Sequence, residues 1–234
     1  MKYYFAADIH LGSPMGDTRE REQKFVLWLD KIKTDATEIF LLGDIFDFWC
    51  EYKKVVPRGF VRTLGKLAEI TDSGIPVHFF IGNHDLWLTD YLQNEVGLIV
   101  HTKSLEITLG EKSFYLAHGD FVSKKSFFRR VFTNKFLQIC FRTIHPRWGI
   151  ALAQKWSKYS HQSQSTPFDG EQEFFVRFAR KFNQTNAINH FIFGHRHSPI
   201  QYFLDGLSQL TILGDWFNGC EYATFDGNTV KLEH

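Results

Sequence analysis

The chain has 234 residues, 44% hydrophobic and 23% charged, which is an ordinary globular composition with enough length for one large core or two small ones. Its formal net charge of +1 carries no whole-chain signal for a polyanionic partner, and three distant cysteines (Cys50, Cys140, Cys220) without a C-x-x-C pair speak against a disulfide framework or a structural zinc motif. No run approaches the ~18 apolar residues of a membrane span, and Asp8 interrupts the apolar start, so a cytoplasmic protein, at most peripherally bound to a membrane, is expected.

In chain order, a single pattern recurs: a short apolar run, often a Gly, then an acid, amide or imidazole. Residues 3–7 run into Asp8-Ile9-His10. Residues 19–33 place Phe25, Trp28, Leu29 and Ile32 at near-helical spacing among charges. Residues 39–42 run into Gly43-Asp44, a second helical pattern covers 60–70, and residues 77–81 run into Gly82-Asn83-His84-Asp85. Residues 114–117 lead to His118-Gly119-Asp120, 191–193 to Gly194-His195-Arg196-His197, and 210–213 to Gly214-Asp215. The runs read as buried strands bounded by Gly and polar residues. Strand-helix-strand alternation predicts an α/β sheet, whose ligands bind beyond the carboxyl ends of the strands, where these polar residues fall.

Residues 121–168 break the pattern. They hold nine Lys or Arg, no acid and ten aromatics, so the remaining chain is net acidic. The segment reads as a helical insertion over the strand ends, giving a core of 1–120 and 169–234 with a basic-aromatic lid at 121–168. The 25 Phe of the whole chain fit either a Phe-rich core or apolar binding surface.

The candidate metal ligands are Asp8, His10, Asp44, Asn83, His118, His195 and His197. Each motif alone is weak, because an isolated His is more often packed than ligating; their ordered conjunction at five strand ends is the signal. Carboxylate, imidazole and amide donors suit Mn2+, Fe2+ or Zn2+ and suit Ca2+ poorly. Seven ligands fit two ions sharing one carboxylate. Asp44 is the expected bridge, because its strand should lie between those bearing the other groups. Two divalent ions over two carboxylates leave a positive site that attracts phosphate oxygens and hydroxide.

The motifs D8-x-H10, G43-D44-x-x-D47, G82-N83-H84-D85, H118-G119 and G194-H195-x-H197 resemble those of the calcineurin-like metallophosphoesterases, over residues 3 to about 216. The resemblance implies two mixed β-sheets flanked by helices in an αββα sandwich. It also implies one metal on Asp8, His10, Asp44 and His197 and another on Asp44, Asn83, His118 and His195. Within the superfamily, D8-I9-H10-L11-G12, G43-D44-I45-F46-D47-F48-W49, the long insertion and G214-D215-W216 resemble the UDP-2,3-diacylglucosamine hydrolase family of lipid A synthesis, although His84 stands where better-known members carry Arg. That implies cleavage of a nucleotide-linked lipid pyrophosphate to UMP and an acylated glucosamine 1-phosphate, two divalent ions (Mn2+ foremost, Fe or Zn as alternatives), and work at the inner face of the cytoplasmic membrane.

His84 is the expected proton donor, with Asn83 and Asp47 as catalytic partners and Asp47 or Asp85 orienting the imidazole. Expected substrate contacts are Asn83, His84, His195, Ser126, Lys155 and Ser160. The insertion suits an anionic membrane surface and an acyl-chain lid. The alternatives are a nuclease, for which basic and aromatic residues would track a strand, a generic phosphodiesterase, and a non-catalytic scaffold of the same fold. Oligomeric state is not legible.

Overall fold

The structure, a computed structural model, describes residues 1–52, 55–122, 168–217 and 219–234. The first part comprises β1 (Tyr3–Ala6), α1 (Thr18–Ile32), β2 (Glu38–Leu41), α2 (Val61–Asp72), β3 (Val77–Phe80), the single-turn α3 (Tyr91–Asn94), β4 (Ile99–His101), β5 (Leu105–Leu109) and β6 (Lys112–Ala117). The second comprises a 3-10 turn at Gly170–Gln172, α4 (Phe174–Asn183), β7 (His190–Phe193), β8 (Ile200–Phe203), β9 (Gln209–Ile212), β10 (Tyr222–Phe225) and β11 (Val230–Glu233).

Two mixed sheets result, with strand orders β11-β10-β1-β2-β3-β4 and β5-β6-β7-β9-β8. β1 to β4 run parallel, as do β6, β7 and β9, while β10, β11, β5 and β8 add antiparallel edges. The two-residue period of a strand divides each run between two cores. On β1, Tyr3 and Phe5 face the layer between the sheets, and Tyr4 and Ala6 face the helices. On β6, Phe114 and Leu116 join the inner layer while Tyr115 and Ala117 pack with Phe175, Val176 and Ala179 of α4. Phe5 stacks on its sheet neighbour Phe40 (5.1 Å) and, across the layer, on Phe114 (6.0 Å) of the second sheet. With both faces covered, the central strands β1, β2, β3 and β7 are largely apolar, whereas the edge strands β5, β8 and β11 alternate with polar residues.

The helices supply the outer layers. The Asp17 carboxylate caps α1 by accepting from the amides of Arg19 and Glu20, and Phe25, Trp28, Leu29 and Ile32 form its buried stripe. α2 buries Thr63, Leu67 and Ile70 at the same spacing. The two helical expectations are met within two residues at each end, as are the six expected strands. β4, β5, β8, β10, β11 and α4 are additions the sequence pattern did not single out. Among the described residues most phenylalanines are core: Phe5, Phe25, Phe40, Phe46, Phe79, Phe80, Phe114, Phe191, Phe193 and Phe225 are among the largest fully buried side chains. The insertion falls almost wholly outside the described residues, as do Ser126, Lys155 and Ser160. No helix among the described residues is long and apolar enough to cross a membrane.

Two histidines of the sheets give an acid-stability prediction. Burial, with His78 alongside, pushes His101 down to about 4, and burial beside Lys112 pushes His190 down to about 4. Both are neutral when folded, whereas the unfolded chain binds their protons near pH ~6.5. Their contribution is therefore intact above about pH 6.5 and is lost as pH falls toward 4. Both are partly exposed, so after discounting for solvent each is worth about 1 kcal/mol. Urea midpoints of chelator-treated protein should fall over this window, and His190→Gln should flatten the fall.

Candidate metal centre

The polar residues sit where β1, β2, β3, β6 and β7 end. The loops after β1 and β2 continue as an extended pair, with Asp8 N donating to Gly43 O (3.1 Å), His10 N to Asp44 O (3.0 Å) and Leu11 N to Ile45 O (2.9 Å). This pairing turns Asp8, His10 and Asp44 to positive φ (54°, 49° and 53°), and His195 shares the conformation at 67°. Four of the five described non-glycine residues in this region thus lie at one place. Side chains seldom tolerate such backbone unless the surroundings enforce it, and it gathers at functional sites.

Two glycines permit the crowding. A Cβ on Gly43, at φ +88°, would meet His118 Nδ1 at 2.7 Å. One on Gly82 would overlap the Asp44 carboxylate.

The donors form clusters meeting at Asp44. Asp8, His10 and His197 form one group, and Asp44, His118 and His195 another, with ligand atoms within 4.8 Å of one another in each; His10, Asp44 and His84 form a third. His10 Nε2 lies 3.3 Å from His197 Nε2, and His118 Nε2 lies 3.2 Å from Asn83 Oδ1. β2 lies between β1 and β3, so Asp44 occupies the central position expected of it.

The outward nitrogens are held as well. His10 Nδ1 is 3.4 Å from Asp47 Oδ1, His197 Nδ1 is 3.3 Å from Asp215 Oδ2, and His118 Nδ1 donates to Leu42 O at 2.8 Å. Such contacts fix which nitrogen faces inward. Asp8 Oδ2 accepts from His195 N (2.8 Å) and Asp44 Oδ1 from His84 N (2.8 Å), tying the loops together. Between the two ligand-type histidines of its loop, Arg196 makes a buried ion pair with Glu173, the cap of α4.

Asp8 Oδ1 and Asp44 Oδ2 are buried without a hydrogen-bond partner. Imidazole nitrogens approach Asp8 Oδ1 at 3.5 and 3.7 Å and Asp44 Oδ2 at 3.3 to 4.0 Å. Burial raises the Asp8 carboxyl, but His10 and His197 outweigh it and hold the group below the usual carboxylate range. Asp44 behaves alike, with His118 and His84 overcoming burial. Reciprocally, burial opposes the charged forms of His118 and His197. Asp44 nevertheless lifts His118 to about 10, and Asp215 and Asp8 lift His197 to about 10. Burial and the neighbouring His118 push His195 down to about 3, so its imidazole is neutral. A pair of buried carboxylate oxygens ringed by imidazoles and an amide is a field that draws cations. The donor chemistry fits divalent ions of the Mn2+, Fe2+ and Zn2+ type.

All seven predicted ligands converge, and His84 and Asp47 join them. His84 Nδ1 donates to the Asp47 carbonyl at 3.0 Å, and its ring meets His10 edge-on at 4.9 Å. Asp85 plays a different part from the orienting role considered for it. Its carboxylate accepts from Gly82 N (2.6 Å) and Ile45 N (3.2 Å), splicing the β2 and β3 loops, and burial beside Asp44 lifts it to about 7. Sequence reasoning missed Asp215 as the partner of His197. The signal was present, since Gly214-Asp215 repeats the strand-Gly-Asp pattern of Gly43-Asp44.

This arrangement of loops at the ends of a two-sheet sandwich has a family. The model for calcineurin-like phosphoesterases matches residues 1–199, and the chain belongs to that family. Its divalent-ion chemistry is thereby implied, and the enzyme is a hydrolase acting on phosphorus esters and anhydrides. The chain is 40% identical to the UDP-2,3-diacylglucosamine hydrolase of Porphyromonas gingivalis, over 99% of its own length and 97% of that protein. It is 30% identical to the Haemophilus ducreyi protein of the same description (92% of each chain). To that of Vibrio vulnificus it is 28% identical (100% of this chain, 97% of the other).

Proposed function

We propose that the chain hydrolyses the pyrophosphate bond of UDP-2,3-diacylglucosamine, releasing UMP and 2,3-diacylglucosamine 1-phosphate for lipid A synthesis. The observation that carries this reading is the 40% identity running the length of both chains, together with an uninterrupted ligand set. The complete ligand set favours an enzyme over a non-catalytic scaffold of the same fold.

Asp8, His10, Asp44 and His197 would hold one ion, and Asp44, Asn83, His118 and His195 the other, with Mn2+ the favoured occupant and Fe or Zn the alternatives. Bound divalent ions supply Lewis acidity at phosphoryl oxygens and make a nucleophile of water at neutral pH. The chain's own groups do the rest. Asp47 and Asp215 orient His10 and His197, and Leu42 O orients His118. His84, anchored at Nδ1 by the Asp47 carbonyl, turns Nε2 toward the cluster, where a proton on it reaches a leaving or non-bridging phosphoryl oxygen. Asn83 and His195, at the rim of the cluster, contact substrate as well as ion. The segment 121–168, with its nine cations and ten aromatics, meets the acyl chains and the anionic inner surface of the cytoplasmic membrane, with Ser126, Lys155 and Ser160 as substrate contacts.

Asp215 reaches the ligands through His197 Nδ1, while its other oxygen accepts from Phe217 N (3.0 Å), so Asp215→Asn should weaken metal binding by about 10–100-fold while leaving both sites present. Calorimetric titration of the chelator-stripped protein with Mn2+ checks this. The function itself is tested by incubating the Mn2+-loaded enzyme with UDP-2,3-diacylglucosamine in detergent and resolving the products by mass spectrometry. UMP and the acylated sugar phosphate are expected, with much slower turnover of a non-acylated UDP-sugar. Equal turnover of both substrates, or preferential cleavage of DNA, would overturn the assignment.

A further inference from the structure

Arg21 lies in the opening turn of α1, where the sequence suggests a solvated helix face, yet it is 4% exposed. Buried arginines are ordinarily paired with carboxylates. Among the described residues none forms an ion pair with Arg21. Its Nη2 donates instead to the carbonyls of His10 (3.1 Å) and Ser13 (3.3 Å), and its Nη1 to that of Met15 (3.0 Å). One guanidinium therefore gathers the whole loop that leaves β1. Its carbon also sits 4.5 Å from the ring centroid of Phe217, and that ring stacks on the His10 imidazole at 5.4 Å with a 21° interplanar angle.

His10 needs such support. Its backbone occupies the left-handed region at φ 49°, which a non-glycine residue keeps only when its surroundings over-determine it. Its Nδ1 is directed to Asp47 and its Nε2 to Asp8, Asp44 and His197. Neither contact restrains the backbone carbonyl or the face of the ring. Arg21 holds the former together with Ser13 N (3.1 Å), and Phe217 stacks on the latter.

We infer that Arg21 and Phe217 are positioning residues that lock His10 toward the cation cluster and so set the affinity of the Asp8–His10–His197 end of the site. The planar fork of Arg21 matters more than its charge, since only a guanidinium reaches three carbonyls while also sitting over a ring. The inference rests on the ligand assignment proposed above.

The test titrates chelator-stripped full-length protein with Mn2+ by calorimetry, alongside melting curves of the metal-free forms. Phe217→Leu removes the ring, Phe217→Tyr keeps it, and Arg21→Lys keeps the charge without the fork. One of the two binding steps should weaken by about 10–100-fold in Phe217→Leu and Arg21→Lys. The other step should change little, Phe217→Tyr should bind as wild type, and metal-free Phe217→Leu should melt near the wild-type midpoint. Unchanged binding in Phe217→Leu overturns the inference, as does a parallel fall of both steps with the melting midpoint. Asp44→Asn separates the two readings. If it loses ions while Phe217→Leu binds normally, only the positioning role fails. If Asp44→Asn binds two ions normally, the ligand assignment fails and this inference with it.

Discussion

Asp44→Asn should strip both ions from the protein and lower hydrolysis by at least about a thousandfold. The Asp44 side chain is completely buried, and its two oxygens have separate duties. Oδ1 accepts from His84 N, a bond that an amide oxygen preserves. Oδ2 faces His118, His10 and His84 without a hydrogen-bond partner, and it alone adjoins both candidate ion positions. Asn replaces that anionic oxygen with a donor pointed at imidazoles, so neither ion keeps its shared ligand. Catalytic ions are worth several kcal/mol of transition-state stabilisation, and about 1.4 kcal/mol corresponds to tenfold in rate. The fold should survive. Without Asp44 the buried His118 gives up its proton, and the metal-free variant should melt near the wild type. Elemental analysis, turnover and melting together check this. Retention of two ions would contradict it.

His84→Gln should behave in the opposite way toward the metal, keeping two ions while turnover falls by about 10^2–10^4-fold, the usual worth of a positioned proton donor. The geometry separates the two roles of this residue. Its backbone amide, which glutamine retains, holds Asp44, whereas its imidazole is anchored to the Asp47 carbonyl. Glutamine fills the space and leaves the loop tied through Asp85. Equal losses of metal and activity in this variant would reassign His84 to structural support of Asn83 and Asp44.

The ligand loops were legible because a doubly covered parallel strand is apolar along its length and ends abruptly at whatever polar group the site requires. Residues 39–42 followed by Gly43-Asp44 carry both halves of that message. The central place of β2 could be argued from the need for one shared carboxylate. Other features had no such signature. Arg21 reads as a charge on an amphipathic helix and Glu173 caps a helix the sequence pattern did not single out, and only tertiary packing buries them. Phe217 reads as one more aromatic, and its stack on His10 joins positions 207 residues apart. Asp85, inside the motif that drew attention to His84, looked like that residue's partner. Its proximity in sequence concealed that its carboxylate turns back to two backbone amides. Strands β10 and β11 supply none of the predicted ligands although β10 pairs with β1, so no ligand motif marked them in the sequence.

Anomalous diffraction from a crystal of the Mn2+-loaded protein, recorded at the manganese edge, tests the paired-cation centre most directly. Two peaks about 3.5–4 Å apart are expected, with Asp44 between them, Asp8, His10 and His197 around one, and Asn83, His118 and His195 around the other. A single peak, or peaks remote from Asp44, would contradict the account.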